Sequence, residues 1–316
     1  MPLRVAFFGT PGFAVPTLER IVNSVHEVVG VITQPDRPRG RGQQLADGPV
    51  KSLATARRLP VLQPAKLARE LFESQFAGLG ADIGVVAAYG KILPDWLLAA
   101  PRFGLINVHA SLLPRYRGAS PVHRAVINGD AETGVTIMRV VKELDAGPML
   151  ATVRVPIGID DTTTIVESAL AVRGAELLVS TLDALEAGTA RDTPQDPSLA
   201  TYAPKLAKTE GLVDWTSGAL RIHNLIRGLW PWPHAFTYLA GTRYIVHRSR
   251  PSTRSAEGAA PGTIVHASSI EGLHVACGEG TVIELLDIQL EGKRVMSARD
   301  AMASRVLVAG ARFAEP

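Results

Sequence analysis

Cysteine is nearly absent from this chain of 316 residues, in which Cys277 stands alone. A single cysteine can form no internal disulfide and supports no cysteine-based zinc site. Its neighbours, in the run LHVACGEG, are typical of a strand, so we expect Cys277 to be a small buried apolar residue. The histidines also lack the H-x-x-x-H spacing of a helical metal site, and we expect no metal.

Long apolar runs are absent as well. No stretch of about 18 uninterrupted apolar residues occurs, so no segment is expected to span a membrane. The N-terminus, MPLRVAFFGT, lacks the order of charged, apolar and small residues that marks a secretory signal. The first glycine turn, GTPGF, departs from G-x-G-x-x-G, which argues against a dinucleotide cofactor. Together with the single cysteine, the lack of a secretory signal and of a membrane-spanning run fits a cytoplasmic protein.

The net charge of +3 is unevenly distributed. Residues 1–204 carry 20 basic and 20 acidic side chains, whereas residues 205–316 carry 13 basic and 10 acidic ones. The whole excess therefore lies in the C-terminal third. Such asymmetry is a weak indication of a polyanionic partner, and random surface composition explains it equally well.

The first 150 residues alternate strand-like and helix-like stretches. The strand-like runs are short and apolar, and the helix-like runs space apolar residues three and four apart. The predicted strands are 3–9, 27–33, 83–88, 104–109 and 133–141, and the predicted helices are 14–24, 50–58 and 66–76. This alternation predicts an α/β fold with a Rossmann-like, mostly parallel sheet. In such sheets, ligands bind beyond the carboxyl ends of the strands.

A change of pattern near residue 190 predicts a second domain. A helix is expected from Asp161 or Thr162 to about residue 187. The run AGTARDTPQDPSLATYAPK follows and has no apolar period, which is typical of a linker. Short β-like runs then alternate with glycine turns and predict a small barrel or sandwich. We therefore expect a first domain over 1–189, a linker over 190–205 and a smaller domain over 206–316.

The densest polar motif is GLINVHASLLPRYRGASP, at residues 104–121. Its predicted strand places Asn107 and His109 on one face, because strand side chains two residues apart point the same way. Asp145, in the turn KELDAGPM, is a third candidate, since a carboxylate can orient an imidazole and stabilise its cation. Structural roles are the alternative: Asn107 and His109 can satisfy loop carbonyls, and Asp145 can be an ordinary turn residue.

An asparagine, a histidine and an aspartate together suit acyl transfer to an amine. The histidine can accept the proton that the amine loses, and the asparagine can stabilise negative charge on the carbonyl oxygen. Ser111 lacks the G-x-S-x-G setting of a nucleophile, so we expect direct transfer. Two assignments stay open. Either neutral His109 accepts the proton while Asp145 orients it, or cationic His109 stabilises charge and Asp145 accepts the proton.

The run NVHASLLPRYRGA, which begins at Asn107, resembles the core motif of folate-dependent formyltransferases. The resemblance implies that Asn107, His109 and Asp145 are catalytic and that 10-formyltetrahydrofolate is the co-substrate. It also implies that main chain in residues 87–93 and 143–145 helps to bind the pterin. The implied folate-binding residues are Ala88, Tyr89, Gly90, Ile92, Ser111, Leu112, Leu113 and Pro114.

Members of this family differ in their acceptor, and two further regions distinguish them. TQPDRPRGRG, at 33–42, resembles the basic insertion loop of the members that formylate methionyl-tRNA, and PKLAKTEGLVDW with HNLIRGLWPWPHAF resembles their second domain. The resemblance implies initiator tRNA as the acceptor and an OB-like C-terminal barrel that contacts RNA. The implied tRNA-binding residues are Arg37, Arg39, Arg41, Lys205 and Lys208. Arginine side chains suit such a role because they bind phosphates and stack on bases.

Two alternative functions remain open. The acceptor can be an amino sugar nucleotide, or the chain can be a non-catalytic RNA-binding protein of the same fold. The basic loop argues against the first alternative, and the complete Asn-His-Asp set argues against the second. A monomer is expected. Weaker candidates for RNA contact in the C-terminal region are Arg221, Arg227, Arg243, Arg248, Arg250 and Arg254.

Overall fold

The computed structural model describes residues 1–39, 44–304 and 306–314, and it divides into two compact units. The first unit holds Met1–Pro121, Thr133–Pro156 and Glu167–Ala203. The second holds Val122–Glu132, Ile157–Val166 and the described residues from Pro204 onward. Two short segments, which interrupt the first unit along the chain, therefore pack with the C-terminal residues. The predicted domain boundaries stay a prediction.

Eleven strands belong to the sheets of the first unit within the described ranges. They are β1 (Arg4–Gly9), β2 (Glu27–Ile32), β3 (Arg37–Arg39), β4 (Gln44–Ala46), β5 (Val61–Leu62), β6 (Ile83–Ala87), β7 (Leu105–His109), β8 (Arg117–Gly118), β9 (Glu132–Arg139), β10 (Met149–Pro156) and β11 (Tyr202–Ala203). The α-helices of the described chain are α1 (Val15–Val22), α2 (Pro49–Ala56), α3 (Arg69–Ala77), α4 (Asp95–Leu98), α5 (Pro121–Asn128), α6 (Thr163–Glu186), α7 (Ala219–Gly228) and α8 (Ala298–Ala301).

The first unit is built on a seven-stranded sheet in the order β10-β9-β7-β6-β1-β2-β5. The five strands from β7 to β5 run parallel, and β9 is antiparallel to β7. The carboxyl ends of β1, β6 and β7 therefore meet at one edge. Strand order reverses around β1, and such a reversal opens a crevice for ligands at this edge.

The predicted helix over 66–76 begins three residues late, at Arg69. The main chain before it is extended because side chains from residues 91–96 bind its carbonyls. Lys91 Nζ donates to the carbonyls of Pro64 and Ala65, both at 2.9 Å, and Trp96 Nε1 donates to the Leu67 carbonyl at 3.2 Å. These contacts hold the segment before α3, and the helix begins only at Arg69.

The second unit centres on a six-stranded antiparallel sheet. Its strands are β12 (Ala235–Leu239), β13 (Thr242–Ser252), β14 (Ile264–Ser268), β15 (Gly272–Ala276), β16 (Val282–Leu290) and β17 (Met296–Ser297). Near the C-terminus, Ala314 pairs with Tyr238 of β12, and Arg312 pairs with Thr263 beside β14. One segment thus covers both edges of the sheet, as in a barrel. The prediction of an α/β domain followed by a smaller β domain is confirmed.

Two predictions about single residues in this unit have different outcomes. Cys277 is 2% exposed in the core of the barrel, as predicted, and burial raises the pKa of its thiol to about 12. Arg227 is 5% exposed and donates to the carbonyls of Gly158 and Asp161 at 3.1 and 2.8 Å. The prediction that Arg227 contacts RNA is therefore wrong, because its guanidinium fastens residues 157–166 to α7.

The core of the first unit contains an aromatic cluster around Phe8. The Phe8 ring is fully buried, and its centroid lies 5.6 Å from that of Tyr89 and 5.9 Å from that of Phe76. This cluster packs the helix α3 and the chain after β6 against the sheet. No helix in the described ranges is long and apolar enough to cross a lipid bilayer.

Replacing Phe8 with alanine should lower the free energy of unfolding by about 3–5 kcal/mol, because the cavity left by the ring cannot close fully. Chemical denaturation monitored by circular dichroism measures the loss. Leu71→Ala on α3 is the matched control, since Leu71 is 62% exposed. The control should change the free energy by less than about 0.5 kcal/mol. Equal losses in both variants would contradict this assignment of the core.

Candidate active site

Strand β7 brings two polar side chains to the carboxyl edge of the first sheet. Asn107 and His109 are two residues apart and share one face of the strand. Because β7 lies between β6 and β9, both residues sit well inside the sheet. The Asn107 amide is half-buried and has no hydrogen-bond partner among the described residues. Its donors and its acceptor are therefore available to a ligand.

The two ring nitrogens of His109 face different partners. Nε2 lies 3.0 Å from the Tyr116 carbonyl oxygen. A carbonyl only accepts hydrogen bonds, so Nε2 carries a proton and, in the neutral ring, Nδ1 carries none. Nδ1 lies 3.7 Å from Asp145 Oδ2. This separation exceeds a hydrogen bond, but it lets the carboxylate stabilise a proton added at Nδ1 because the ring is only 5% exposed.

Asp145 occupies a turn whose backbone is strained. Its φ of +49° lies in the left-handed region, which is costly for a residue other than glycine. The main-chain N–H of Gly118 donates to Asp145 Oδ2 at 2.8 Å and holds the carboxylate toward His109. The turn also needs Gly147, because a Cβ there would lie 1.9 Å from the Arg139 carbonyl oxygen. The structure thus places Asp145 beside His109, which the sequence alone did not establish.

The loop after β7 is fastened by its own polar atoms. Ser111 is fully buried and its hydroxyl donates to a carbonyl within the loop at 2.7 Å. Thr136 Oγ1 donates to the Ser111 carbonyl at 2.7 Å and accepts from the Leu113 N–H at 3.1 Å. Leu113 is buried, whereas Leu112 and Pro114 are half-buried. The Ser111 hydroxyl therefore shapes the loop, and the predicted folate contacts of these residues stay predictions.

The chain after β6 turns sharply at the same edge of the sheet. Ala88 and Gly90 are exposed and have φ angles of +46° and +78°. The Tyr89 side chain instead points into the core, where burial raises its pKa to about 12. Ile92 is 93% exposed. This segment therefore presents its main chain and the Ile92 side chain to a ligand. The Tyr89 ring is not accessible to one. These predicted contacts also stay predictions.

The basic loop is described only in part. Its first arginine, Arg37, lies in β3 and donates to Gln34 Oε1 at 3.2 Å. Arg39 ends β3, which pairs with β4 in a short antiparallel hairpin. Arg41 was the leading candidate for tRNA contact, and it lies outside the described residues. The arginines of this loop thus belong to the chain that follows the carboxyl end of β2.

The basic candidates in the second unit fall into two groups. Lys205, Lys208 and Arg221 are exposed, as RNA contact requires. Most of the arginine candidates are instead ion-paired, which reduces the charge that they offer to RNA. The pairs are Arg243–Glu291, Arg248–Asp287, Arg250–Glu284 and Arg254–Glu271, at 3.3, 3.0, 2.6 and 3.1 Å.

Residues 193–203, within the stretch for which the sequence predicts a linker, contact both loops of the site. Gln195 donates from Nε2 to the carbonyls of Asp145 and Gly147, both at 2.8 Å. Its Oε1 accepts from the Arg117 guanidinium at 3.0 and 2.7 Å. β11 pairs with β8, next to Tyr116. The sequence carried no signal for these contacts, because the run TPQDP shows neither an apolar period nor a catalytic motif.

The described part of the chain contains no cluster of three or more His, Cys, Asp or Glu side chains that could hold a metal ion. The site is thus made of an amide, an imidazole and a carboxylate. Such a set can accept a proton from an amine and donate a hydrogen bond to a carbonyl oxygen.

Two family models match this chain. Residues 3–182 match the formyl transferase model, and residues 205–305 match the model of the formyl transferase C-terminal domain. The methionyl-tRNA formyltransferase of Geotalea uraniireducens (strain Rf4) is 45% identical over 308 residues, which cover 98% of this chain and 97% of that protein. The methionyl-tRNA formyltransferase of Solibacter usitatus (strain Ellin6076) is 47% identical over 298 residues, which cover 94% of each chain.

Solved structures of low identity share the fold. An N-formyltransferase from Helicobacter canadensis, in complex with folinic acid and dTDP-3-aminofucose, superposes with a TM-score of 0.68 at 18% identity, covering 90% of this chain and 98% of that one. HypX from Aquifex aeolicus, in complex with tetrahydrofolic acid, has a TM-score of 0.63 at 14% identity, covering 96% of this chain and 47% of that one. With the two family models spanning both the sheet unit and the C-terminal residues, the chain belongs to the formyl transferase family.

Proposed function

We propose that this chain transfers the formyl group of 10-formyltetrahydrofolate to the amino group of methionyl-initiator tRNA. The products are N-formylmethionyl-tRNA, which starts translation, and tetrahydrofolate, whose N10 leaves the formyl carbon and gains the proton that the amine loses. The observation that carries the proposal is the placement of Asn107, His109 and Asp145 at the end of β7, in a chain related over nearly its whole length to methionyl-tRNA formyltransferases.

The formyl donor supplies an activated carbonyl, and the chain offers it a suitable surface at the carboxyl edge of the sheet. The Asn107 amide is free to donate to the formyl oxygen. Exposed main chain at Ala88 and Gly90 offers polar groups for a pterin. Two largely exposed side chains, Ile92 at 93% and Leu144 at 63%, offer apolar surface on the two loops that the family resemblance assigns to the pterin. These features fit a flat, partly polar ligand.

His109 accepts the amine proton in the proposed reaction, and Nδ1 is the atom that takes it. The Tyr116 carbonyl keeps the existing proton on Nε2, so the neutral ring presents an unprotonated Nδ1. Asp145 then stabilises the cation from 3.7 Å. Asn107 donates to the formyl oxygen as negative charge develops on it. This geometry supports the assignment in which Asp145 orients and stabilises His109 over the one in which Asp145 is itself the proton acceptor.

Acceptor recognition is assigned to basic side chains on both units. Arg37, Arg39 and Arg41 contact the acceptor stem, and Lys205 and Lys208 contact the RNA backbone. In this assignment, residues 1–189 form the catalytic domain and residues 190–205 form a linker. Residues 206–316 form the OB-like domain that binds tRNA. The protein acts as a cytoplasmic monomer in this proposal.

A formylation assay with several acceptors tests the proposal. The purified protein is given 10-formyltetrahydrofolate and, in separate reactions, charged initiator tRNA, charged elongator tRNA and an amino sugar nucleotide. Efficient transfer to charged initiator tRNA alone is expected. Transfer to the sugar nucleotide would favour a sugar-modifying formyltransferase. Binding of tRNA without formation of tetrahydrofolate would favour a non-catalytic RNA-binding protein.

Removing both exposed lysines should weaken tRNA binding without slowing the chemical step. Lys205→Gln with Lys208→Gln should raise KM for tRNA and leave kcat near wild type. The slope of log affinity against log salt should fall by about one per lost phosphate contact. Lys66→Gln with Lys293→Gln is the control, since it removes the same charge from two other exposed positions. An unchanged salt slope in the Lys205/Lys208 variant would contradict the assignment.

A further inference from the structure

Gln195 lies at the junction of the two loops that contact His109. We propose that Gln195, acting through Arg117 and the Asp145 turn, is a positioning residue that holds the partners of His109 in their reactive geometry. The inference rests on the proposed function, because that geometry is defined by formyl transfer. Gln195 and Arg117 are both 8% exposed, so their interaction is shielded from water.

Both partners of His109 stand on strained backbone. Tyr116, whose carbonyl accepts from Nε2, has a φ of +61°, and Asp145 has a φ of +49°. Left-handed residues other than glycine cost free energy and persist only where surrounding contacts hold them. The two loops therefore need external support, and residues 193–203 provide it.

The support reaches the Asp145 turn through a single side-chain amide. Gln195 Nε2 donates one hydrogen to the Asp145 carbonyl and the other to the Gly147 carbonyl, both at 2.8 Å. Gln195 Oε1 accepts twice from Arg117, at 3.0 and 2.7 Å. The guanidinium of Arg117 only donates, so the amide has one orientation in this network. Every donor and acceptor of the Gln195 side chain is used.

The same stretch of chain holds the Tyr116 loop. Thr201 Oγ1 accepts from the Tyr116 N–H at 2.9 Å, and the Thr201 carbonyl accepts from the Arg117 N–H at 2.8 Å. Arg117 is thus bound through its main chain to Thr201 and through its side chain to Gln195. The position of the Tyr116 carbonyl is coupled in this way to the position of the Asp145 turn.

Gln195 touches the main chain of Asp145 and not its carboxylate, so its effect on the reaction is indirect. Releasing the turn moves the carboxylate relative to His109 Nδ1. A misplacement of about 1 Å in an active site can cost about 10²-fold in rate. The tRNA is bound by other groups in the proposed function, whereas the Asp145 turn also carries Leu144, which the proposed function assigns to the pterin. Loss of Gln195 should therefore lower kcat and spare KM for tRNA.

Two variants of Gln195 and one variant of a neighbouring residue distinguish a positioning role of Gln195 from a purely structural role. Gln195→Glu keeps the length and the acceptor oxygen for Arg117, but it replaces the nitrogen that donates both hydrogen bonds to the turn with an oxygen atom. Gln195→Met keeps the approximate volume and removes all polar contacts. The matched control is Asp196→Ala, because among the described residues the Asp196 side chain bonds only within its own turn, to the N–H and hydroxyl of Ser198 at 2.9 and 2.7 Å.

Steady-state formylation of charged initiator tRNA and thermal unfolding are measured for all four proteins. Both Gln195 variants should lose about 10- to 100-fold in kcat, with KM for tRNA near wild type. The Tm values show whether each variant is folded at the temperature of the assay. Asp196→Ala should retain the wild-type kcat. A Gln195→Glu protein that is folded and has wild-type kcat overturns the inference, as does a loss that appears only in KM. An inactive wild-type protein would instead overturn the proposed function.

Discussion

Replacing His109 with alanine is expected to lower kcat by about 10²- to 10⁴-fold, the usual contribution of a positioned acid–base group. The amine must lose a proton as it attacks, and His109 Nδ1 is the acceptor in the proposed reaction. The buried ring contacts the protein through the Tyr116 carbonyl at 3.0 Å, so its loss should leave substrate binding largely intact. Steady-state formylation, with donor and tRNA varied in turn, gives kcat and each KM separately.

His26 provides a matched control for this experiment. It is also buried in the first unit and also faces a carboxylate, since its Nε2 lies 3.2 Å from Asp183 Oδ1. Its Nδ1 accepts from the Leu3 N–H at 3.2 Å, a contact that His26→Gln can retain. His26→Gln should keep the wild-type kcat. A His109→Ala enzyme with near-normal kcat would contradict the assignment of His109 as the proton acceptor.

Replacing Asn107 with alanine should lower kcat by about 10²- to 10³-fold, as seen when one donor to a developing oxyanion is removed. The physical reason is that the Asn107 amide, unused by the described protein residues, meets the formyl oxygen as its charge grows. Asn107→Asp should be at least as slow, because it keeps the shape and replaces the donor with negative charge. Single-turnover rates at saturating donor isolate this step.

The control for Asn107 is Asn23→Ala, at the exposed C-terminal end of α1. It removes an asparagine amide from the same unit and should leave kcat unchanged. A wild-type rate in Asn107→Asp would show that no donor is needed at this position. The role of Asn107 would then be the structural one that its place at a strand end also allows.

Local pattern predicted much of the first sheet. The strands β1, β2, β6 and β7 begin and end within one residue of the predicted bounds. Each is a short run of buried residues bounded by turns. Such a pattern can be recognised from adjacent residues in the sequence. The start of α3 was not predictable in the same way. Its preceding main chain is held by Lys91 and Trp96, and such contacts leave no trace in the local sequence.

The candidate site shows the same division between local and distant information. Asn107 and His109 are two residues apart on one strand, so the sequence predicted their shared face. Asp145 comes beside His109 only because β9 returns antiparallel to β7 and the turn after β9 closes over it. Gln195 was not predicted at all. Its contacts depend on a stretch without regular periodicity that reaches back to two earlier loops.

A double-mutant cycle between His109 and Asp145 tests the central claim most directly. The claim is that the imidazole and the carboxylate, 3.7 Å apart, act as one unit in formyl transfer. The kcat values of His109→Ala, Asp145→Asn and the double variant are measured on charged initiator tRNA. When two residues act as one unit, removing the second costs little once the first is gone. The double variant should therefore be no slower than the slower single variant. Losses that multiply in the double variant would contradict the claim.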